Sequence, residues 1–187
     1  MAYLSDDELR RLNFKSLGSN VKISRDARIY EPEKMSIGSN VRIDDFCVLS
    51  GLLGIGNNVH IAVFCNVAGG EKGVFLEDFS GLAYGCQVFS QSDDYSGRTL
   101  TNPTIPDRFK REIKKTIHIK RHSIVGAGSL IFPGVTLEEG TAVGALSVVT
   151  KTTEAWSIYH GNPAKKIKNR KRDLLLLEQA YLGESND

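Results

Sequence analysis

The sequence predicts an all-β solenoid of short strands and turns, carrying one long loop and closed at each end by a helix. Three observations predict it. Aliphatic residues recur every six positions over most of the chain. Four residues after each of them usually stands a small or apolar residue. The beat breaks once, over a polar stretch rich in acids, hydroxyls and prolines, and then resumes.

The first element is a helical cap over residues 1–20. In "SDDELRRL", Ser5 precedes Glu8 by three positions. That spacing is a capping box, in which each side chain bonds the other's backbone N–H. Acids in the first turn also suit the helix dipole. A helix is predicted from about Asp6 to Leu12, packed on the first coil.

The repeat is assigned to residues 21–169. The first run is Ile37, Ile43, Leu49, Ile55, Ile61 and Val67. After a slip of three residues come Leu76, Leu82 and Val88. After the interruption come Ile119, Val125, Ile131, Leu137, Val143 and Val149. A fixed short period has to be recognised before any helix or strand is assigned. Six matches neither the 3.6-residue helix nor the two-residue strand alternation. It fits a strand and a turn, repeated, with three such units in a triangular coil of about eighteen residues. Coils then stack their aliphatics in columns, and the core becomes quasi-one-dimensional.

Cys47, Cys65 and Cys86 are the three cysteines. All fall on the small inward column. An odd count without CxxC spacing argues against a disulfide framework or zinc ribbon. They read as buried reduced thiols acting as small hydrophobes.

The interruption is a loop over residues 89–116, containing "SQSDDYSGRTLTNPTIPDR". Asp, Ser and Gly are ordinary turn formers, but a long loop in a compact repeat protein is usually functional. Pro103 and Pro106 withhold backbone donors and stop the segment from pairing as a strand.

The last element is a helix over 170–183, from "NRKRDLLLLEQAYLG", ending at Gly183. Leu174, Leu175, Leu177 and Tyr181 would dock, and the helix would cover the open last coil. The final "ESND" reads as a frayed end.

Composition excludes several classes. A formal net charge of +2 gives no global field for nucleic acid. The basic run "KKIKNRKR" has no aromatic platform beside it, and a phosphate-bearing cofactor suits it better. No run approaches the ~18 apolar residues of a membrane span, and the start lacks a signal-peptide core. One cytoplasmic domain over 1–187, with no membrane insertion, is the expectation.

Fifteen repeats in register, with "SIVGAGSLIFPGVTLEEGTAVGALSVVTK" and "GNPAKKIK", resemble the hexapeptide-repeat acyltransferases. The closing coils are similar to galactoside and maltose O-acetyltransferases. The "SDDYSG...TNPTIP" loop looks like that of enzymes acylating nucleotide-linked amino sugars for surface polysaccharides. The resemblance implies a left-handed parallel β-helix and a homotrimer with sites between subunits. It implies an acyl-CoA co-substrate, acetyl-CoA foremost, and no metal.

Carried over by position, the donor contacts are Ala127, Ala145, Thr150, Lys151 and Lys168. Small residues let pantetheine lie close to backbone amides, and lysines answer phosphates as point charges. The branch's loop histidine falls at Asp93 or Asp94 here, and an asparagine it uses falls near Ala62. A sugar hydroxyl needs a base with a pKa near the working pH, which an ordinary aspartate is not. An amine is already nucleophilic once neutral and needs placement above all. Asp93 and Asp94 are therefore the candidate catalytic acids, and an amino sugar is the preferred acceptor. Tyr95 and Asn102 would contact the sugar, and Arg98 and Arg108 its diphosphate.

Among the histidines, His60 is placed at a turn before Ile61, facing outward, and is the third catalytic candidate. As a base it would serve O-acetylation, the alternative. A metalloenzyme of the γ-carbonic anhydrase kind would need three converging histidines. A non-catalytic trimeric scaffold remains the fourth reading, since a repeat fold alone does not imply catalysis.

Overall fold

A strand of two or three residues can turn only one or two side chains inward. Such strands are stable only when many stack. In the computed structural model, which describes residues 2–184, they stack as three sheets around one shaft, parallel throughout except for the final strand. The first sheet has six strands, from Ser16–Leu17 to Thr136–Leu137. The second has eight, from Lys22–Ile23 to Lys165–Asn169. The third has six, from Arg28–Tyr30 to Val148–Val149. Each coil visits the three in turn, so a first corner joins sheets one and two, a second joins two and three, and a third returns to one.

All fifteen aliphatics of the beat are at most 4% exposed. The intervening small column is buried too, Cys47, Cys65 and Cys86 at 0–1%. All three thiols are free. Those of Cys47 and Cys65 lie 3.0 Å from the carbonyls of Ala62 and Ala83. The Cys65 thiol beside it, and then burial, push the Cys47 thiol up.

The beat begins before residue 21. Ser16–Leu17 already pairs in parallel with Ser36–Ile37, so the first coil starts inside the expected cap. Ahead of it, α1 (Asp6–Arg11) carries the reciprocal Ser5–Glu8 cap and buries Leu9 at 3% exposure.

The slip between Val67 and Leu76 has a structural use. Its residues form a turn closed by Gly73 N–H to the Gly69 carbonyl at 2.8 Å. The loop root leans on it through Ser90 Oγ to Gly69 O, Lys114 to Glu71 at 3.0 Å, and Thr116 Oγ1 to Lys72 O at 2.8 Å. The loop leaves at the third corner over a short antiparallel pair, Gln91–Ser92 with Ile113–Lys114.

Two expectations for the C-terminus are corrected. The helix expected over 170–183 begins only at Leu174, and the basic run ahead of it opens with a strand, Lys165–Asn169, lying antiparallel on Ser157–His160. There it becomes the last strand of the second sheet. The helix α2 (Leu174–Glu184) does not cover the last coil. It lies along the first corner, where Glu178 bonds His122 Nε2 at 3.1 Å and also pairs with Arg121. Tyr181 donates its hydroxyl to Asn58 Oδ1 at 3.1 Å and meets the Phe79 ring edge-on. These polar partners hold α2 on the flank, where it buries none of its residues. Gly183 lies within the helix, and residues 185–187 of the expected frayed end fall outside the described residues.

Candidate functional site

Two groups of candidate residues emerge, on different sides of the shaft. The first is the loop. Asp94 sits in a tight turn and accepts from Ser96 N–H at 2.9 Å and Ser96 Oγ at 2.8 Å. Thr99 Oγ1 lies at 3.5 Å from the same carboxylate. The Ser96 backbone N–H, then its hydroxyl, hold the Asp94 carboxyl below the usual carboxylate range. Asp93 accepts from the Asn102 N–H at 3.3 Å, so the loop brings these two candidates together. The Asn102 side-chain oxygen is engaged by Thr104, at 3.0 Å from its N–H and 2.6 Å from its hydroxyl. Tyr95 stands 89% exposed and ready to stack. Arg108 packs over the Phe109 ring at 4.7 Å, and Arg98 is exposed.

The second group is on the shaft. His60 opens the strand His60–Ile61 in the second sheet, rather than standing in a turn, and its side chain is half exposed. Its Nε2 lies 2.8 Å from Asp44, whose carboxylate also accepts from Arg42 Nε at 2.7 Å. Asp44 is buried. Burial works to raise its carboxyl, but the Arg42 and His60 bonds outweigh that and hold it below the usual range. Asp44 and Arg42 were not read from the sequence. The signal was present, because residues eighteen apart share a column and Arg42 pairs in register with His60.

His60 lines an apolar cleft of about 610 Å³ between the second sheet and α2, with Ala62, Tyr84, Ile124, Leu177 and Tyr181. None of the loop candidates lines it. A single chain therefore does not bring Asp93 or Asp94 to His60.

The expected donor residues divide. Ala127 and Ala145 stack in the second corner, where Leu146 N–H bonds the Ala127 carbonyl at 2.8 Å. Thr150 and Lys151 follow Val148–Val149 at the next corner, both exposed. Lys168 lies in the C-terminal strand opposite Ile158. Exposed lysines thus gather toward the last coils, where an anionic end of a long ligand would be answered.

The remaining histidines are placed structurally. His118 stacks on Phe75 at 5.4 Å, and His122 is buried between Phe79 and Glu178. His160 lies 3.3 Å from Ser147 Oγ through Nδ1. Among the described residues no group of three or more His, Cys, Asp or Glu could hold a metal ion. Among them, too, no helix is long and apolar enough to cross a membrane.

No family model matches the chain. The dTDP-4-amino-4,6-dideoxy-D-glucose acyltransferase of Escherichia coli is 42% identical over 184 residues, 97% of this chain and 95% of that protein. A chloramphenicol acetyltransferase of Klebsiella aerogenes is 42% identical over 60 residues, 30% of this chain and 29% of that one. Among solved structures is the D94N mutant, in its own numbering, of AntD, an N-acyltransferase from Bacillus cereus in complex with dTDP and coenzyme A. It superposes with a TM-score of 0.97 at 44% identity, over 98% of this chain and 100% of that one. AntD in complex with dTDP and 3-hydroxybutyryl-CoA also gives 0.97, at 43% identity over the whole of both chains. A maltose O-acetyltransferase from Clostridium difficile 630 shares the fold, with a TM-score of 0.55 and 21% identity over 89% of this chain and 75% of that one.

Proposed function

This chain belongs to the hexapeptide-repeat, β-helical acyltransferases that include the Escherichia coli dTDP-4-amino-4,6-dideoxy-D-glucose acyltransferase, and from that premise we propose that it moves an acyl group from CoA to the amine of a nucleotide-linked amino sugar. The favoured acceptor is dTDP-4-amino-4,6-dideoxyglucose, which has been solved with coenzyme A in variants of AntD. The observation that carries this reading is the loop carboxylate of Asp94, fixed in its turn by the Ser96 N–H at 2.9 Å and hydroxyl at 2.8 Å, which favour its ionised form. An acid kept ionised is a weak general base at neutral pH. It is a good acceptor for an ammonium or amine N–H, through a charge-assisted hydrogen bond.

In this reading Asp94 orients the sugar amine toward the thioester carbonyl. The nitrogen attacks, a C–N bond forms, and the C–S bond breaks. The nitrogen gives up one proton, the departing thiolate of CoA gains one, and the amide is left on the sugar. Asp93 shapes the turn through Asn102, while Tyr95, Arg98 and Arg108 are the exposed groups for the ring and diphosphate. Ala127 and Ala145 border the pantetheine, and Thr150, Lys151 and Lys168 meet the phosphate end of CoA.

The working unit in this proposal is a homotrimer of one-domain chains, with the loop of one protomer facing the donor corner of the next. The separation of loop and shaft candidates in a single chain supports it. Three free thiols fit a reducing cytoplasm.

A second reading is transfer to a sugar hydroxyl with His60 as base. The Asp44–His60 contact favours it, since a buried carboxylate orients an imidazole.

Release of CoA thiol from acetyl-CoA, with dTDP-4-amino-4,6-dideoxyglucose and with neutral galactosides and maltose, tests both. Turnover with the amino sugar alone, lowered about a hundredfold in Asp94→Asn through lost placement of the amine, is expected. Turnover with neutral sugars, abolished in His60→Ala, would replace it with the second reading.

A further inference from the structure

The second corner carries a feature that acyl transfer as such does not require. Its left-handed position is filled, coil by coil, by Phe46, Phe64, Gly85, Gly128 and Leu146, with φ between 57° and 69°. Three of the five are large apolar residues, where L side chains are disfavoured and glycine is the default. None of the three is covered. Phe46 is 53% exposed, Phe64 60% and Leu146 76%. The two phenylalanine rings stack on each other at 5.1 Å. Together they form an apolar ridge with a break in it.

The break is at Gly85. A Cβ built there would meet nothing within 4 Å, whereas at Gly128 it would meet the Leu146 side chain at 2.8 Å. The column is continuous through its backbone. Gly85 N–H bonds the Val63 carbonyl at 2.9 Å, and Gly128 N–H bonds the Tyr84 carbonyl at 2.8 Å. Tyr84, 65% exposed, stands beside the break and at the rim of the cleft. Ala127 and Ala145 occupy the next two coils of the same corner, and the lysines lie beyond them.

We propose that the break at Gly85 receives the thioester and acyl group of the donor, and that Phe64 and Tyr84 set the length of the acyl chain. This rests on the donor placement given above. A donor with its phosphates toward the last coils and its pantetheine along Ala145 and Ala127 arrives next at Gly85. The following coil is blocked by the Phe64 ring. Neighbouring strands lie about 4.8 Å apart, so the space holds a straight chain of about two to four carbons before it meets Phe64. Short acyl-CoA donors are therefore the substrates of this chain, and longer ones are rejected by contact with an aromatic wall.

The experiment is a chain-length series of acetyl-, butyryl-, hexanoyl- and octanoyl-CoA, with kcat/KM for thiol release measured on the full chain and CoA affinity measured separately by calorimetry. Wild type is expected to favour the two short donors over hexanoyl-CoA by about tenfold or more, since a misfitting methylene costs about 10–200-fold. Phe64→Ala is expected to shift the preference toward hexanoyl-CoA by about tenfold or more with CoA affinity unchanged. Tyr84→Ala should widen the profile in the same direction. Phe64→Leu, a smaller change, covers the case in which Phe64→Ala does not fold. A profile unchanged in folded, CoA-binding variants overturns the assignment of Phe64 and Tyr84. So does a change only in oligomeric state, measured by sedimentation. Failure of wild type to bind CoA overturns instead the donor placement on which the proposal stands.

Discussion

Asp44 is the residue whose environment most exceeds what its sequence position suggests. It follows an inward isoleucine by one place, so it points outward, yet it is 2% exposed because Arg42 and His60 close over it. Its folded pKa is depressed. Such a group contributes stability that is fully present above its unfolded value, about 3.9, and is lost as pH falls through the lower folded value. Thermal melts from pH 7 down to pH 3 should therefore show an acid limb that Asp44→Asn flattens. At pH 7 the same substitution should cost about 1–3 kcal/mol, from weakened charge-assisted bonds in a buried place. An unchanged melting temperature at both pH values would show that the cluster is incidental. Asp94 behaves differently because it is only half-buried and bonded within its own turn. Asp94→Asn should leave the melting temperature almost unmoved while lowering turnover.

At the scale of elements, α2 and the loop are both attached to the outside of the shaft. The helix buries no residue, and Leu176 and Leu177 remain 72% and 71% exposed. Its hold is largely polar, through Glu178 and Tyr181. Glu178→Ala removes the carboxylate that bonds buried His122 and one of the two that pair with Arg121. Limited proteolysis should then cut α2 from the variant much faster than from wild type, while the main unfolding transition stays in place. Loss of the whole fold in that variant would mean the helix is integral to the shaft. The loop stands on its own antiparallel root and on the turn at Gly69–Gly73. Replacing residues 93–112 by Asn-Gly, a two-residue hairpin turn, should leave a folded chain that still binds CoA by calorimetry and transfers nothing.

For the whole molecule, stability is close to a sum over stacked coils, with inward side chains that are almost wholly dry. A cavity in the middle of the stack should be costly. Leu49→Ala, at 0% exposure, should destabilise by about 2–5 kcal/mol in denaturant titration. Leu176→Ala on α2 should cost under about 0.5 kcal/mol. The three thiols share the dry interior, so a soluble disulfide reagent should titrate none of them until the chain unfolds. Reaction of a native thiol would show that the shaft opens locally.

Much of this was legible in the residues alone. The six-residue beat located the inward columns correctly from Ile37 to Val149, because burial in a narrow shaft forces one aliphatic at each strand whatever the rest of the coil does. Ser5 and Glu8 marked their helix because a capping box is local chemistry. The loop announced itself by interrupting a period. The contacts between coils were decided only by the tertiary structure. Arg42, Asp44 and His60 meet because a coil returns each residue to its column about eighteen places later, a coincidence visible in three dimensions and faint in one. The placing of α2 on the flank was decided by Glu178, His122, Asn58 and Tyr181, which are far apart in sequence and meet only once the shaft exists. The open space at Gly85, between two phenylalanines and a leucine, is likewise a property of neighbouring coils. Periodicity determines which side chains go inside. Which outward side chains meet depends on backbone placement that no local pattern encodes.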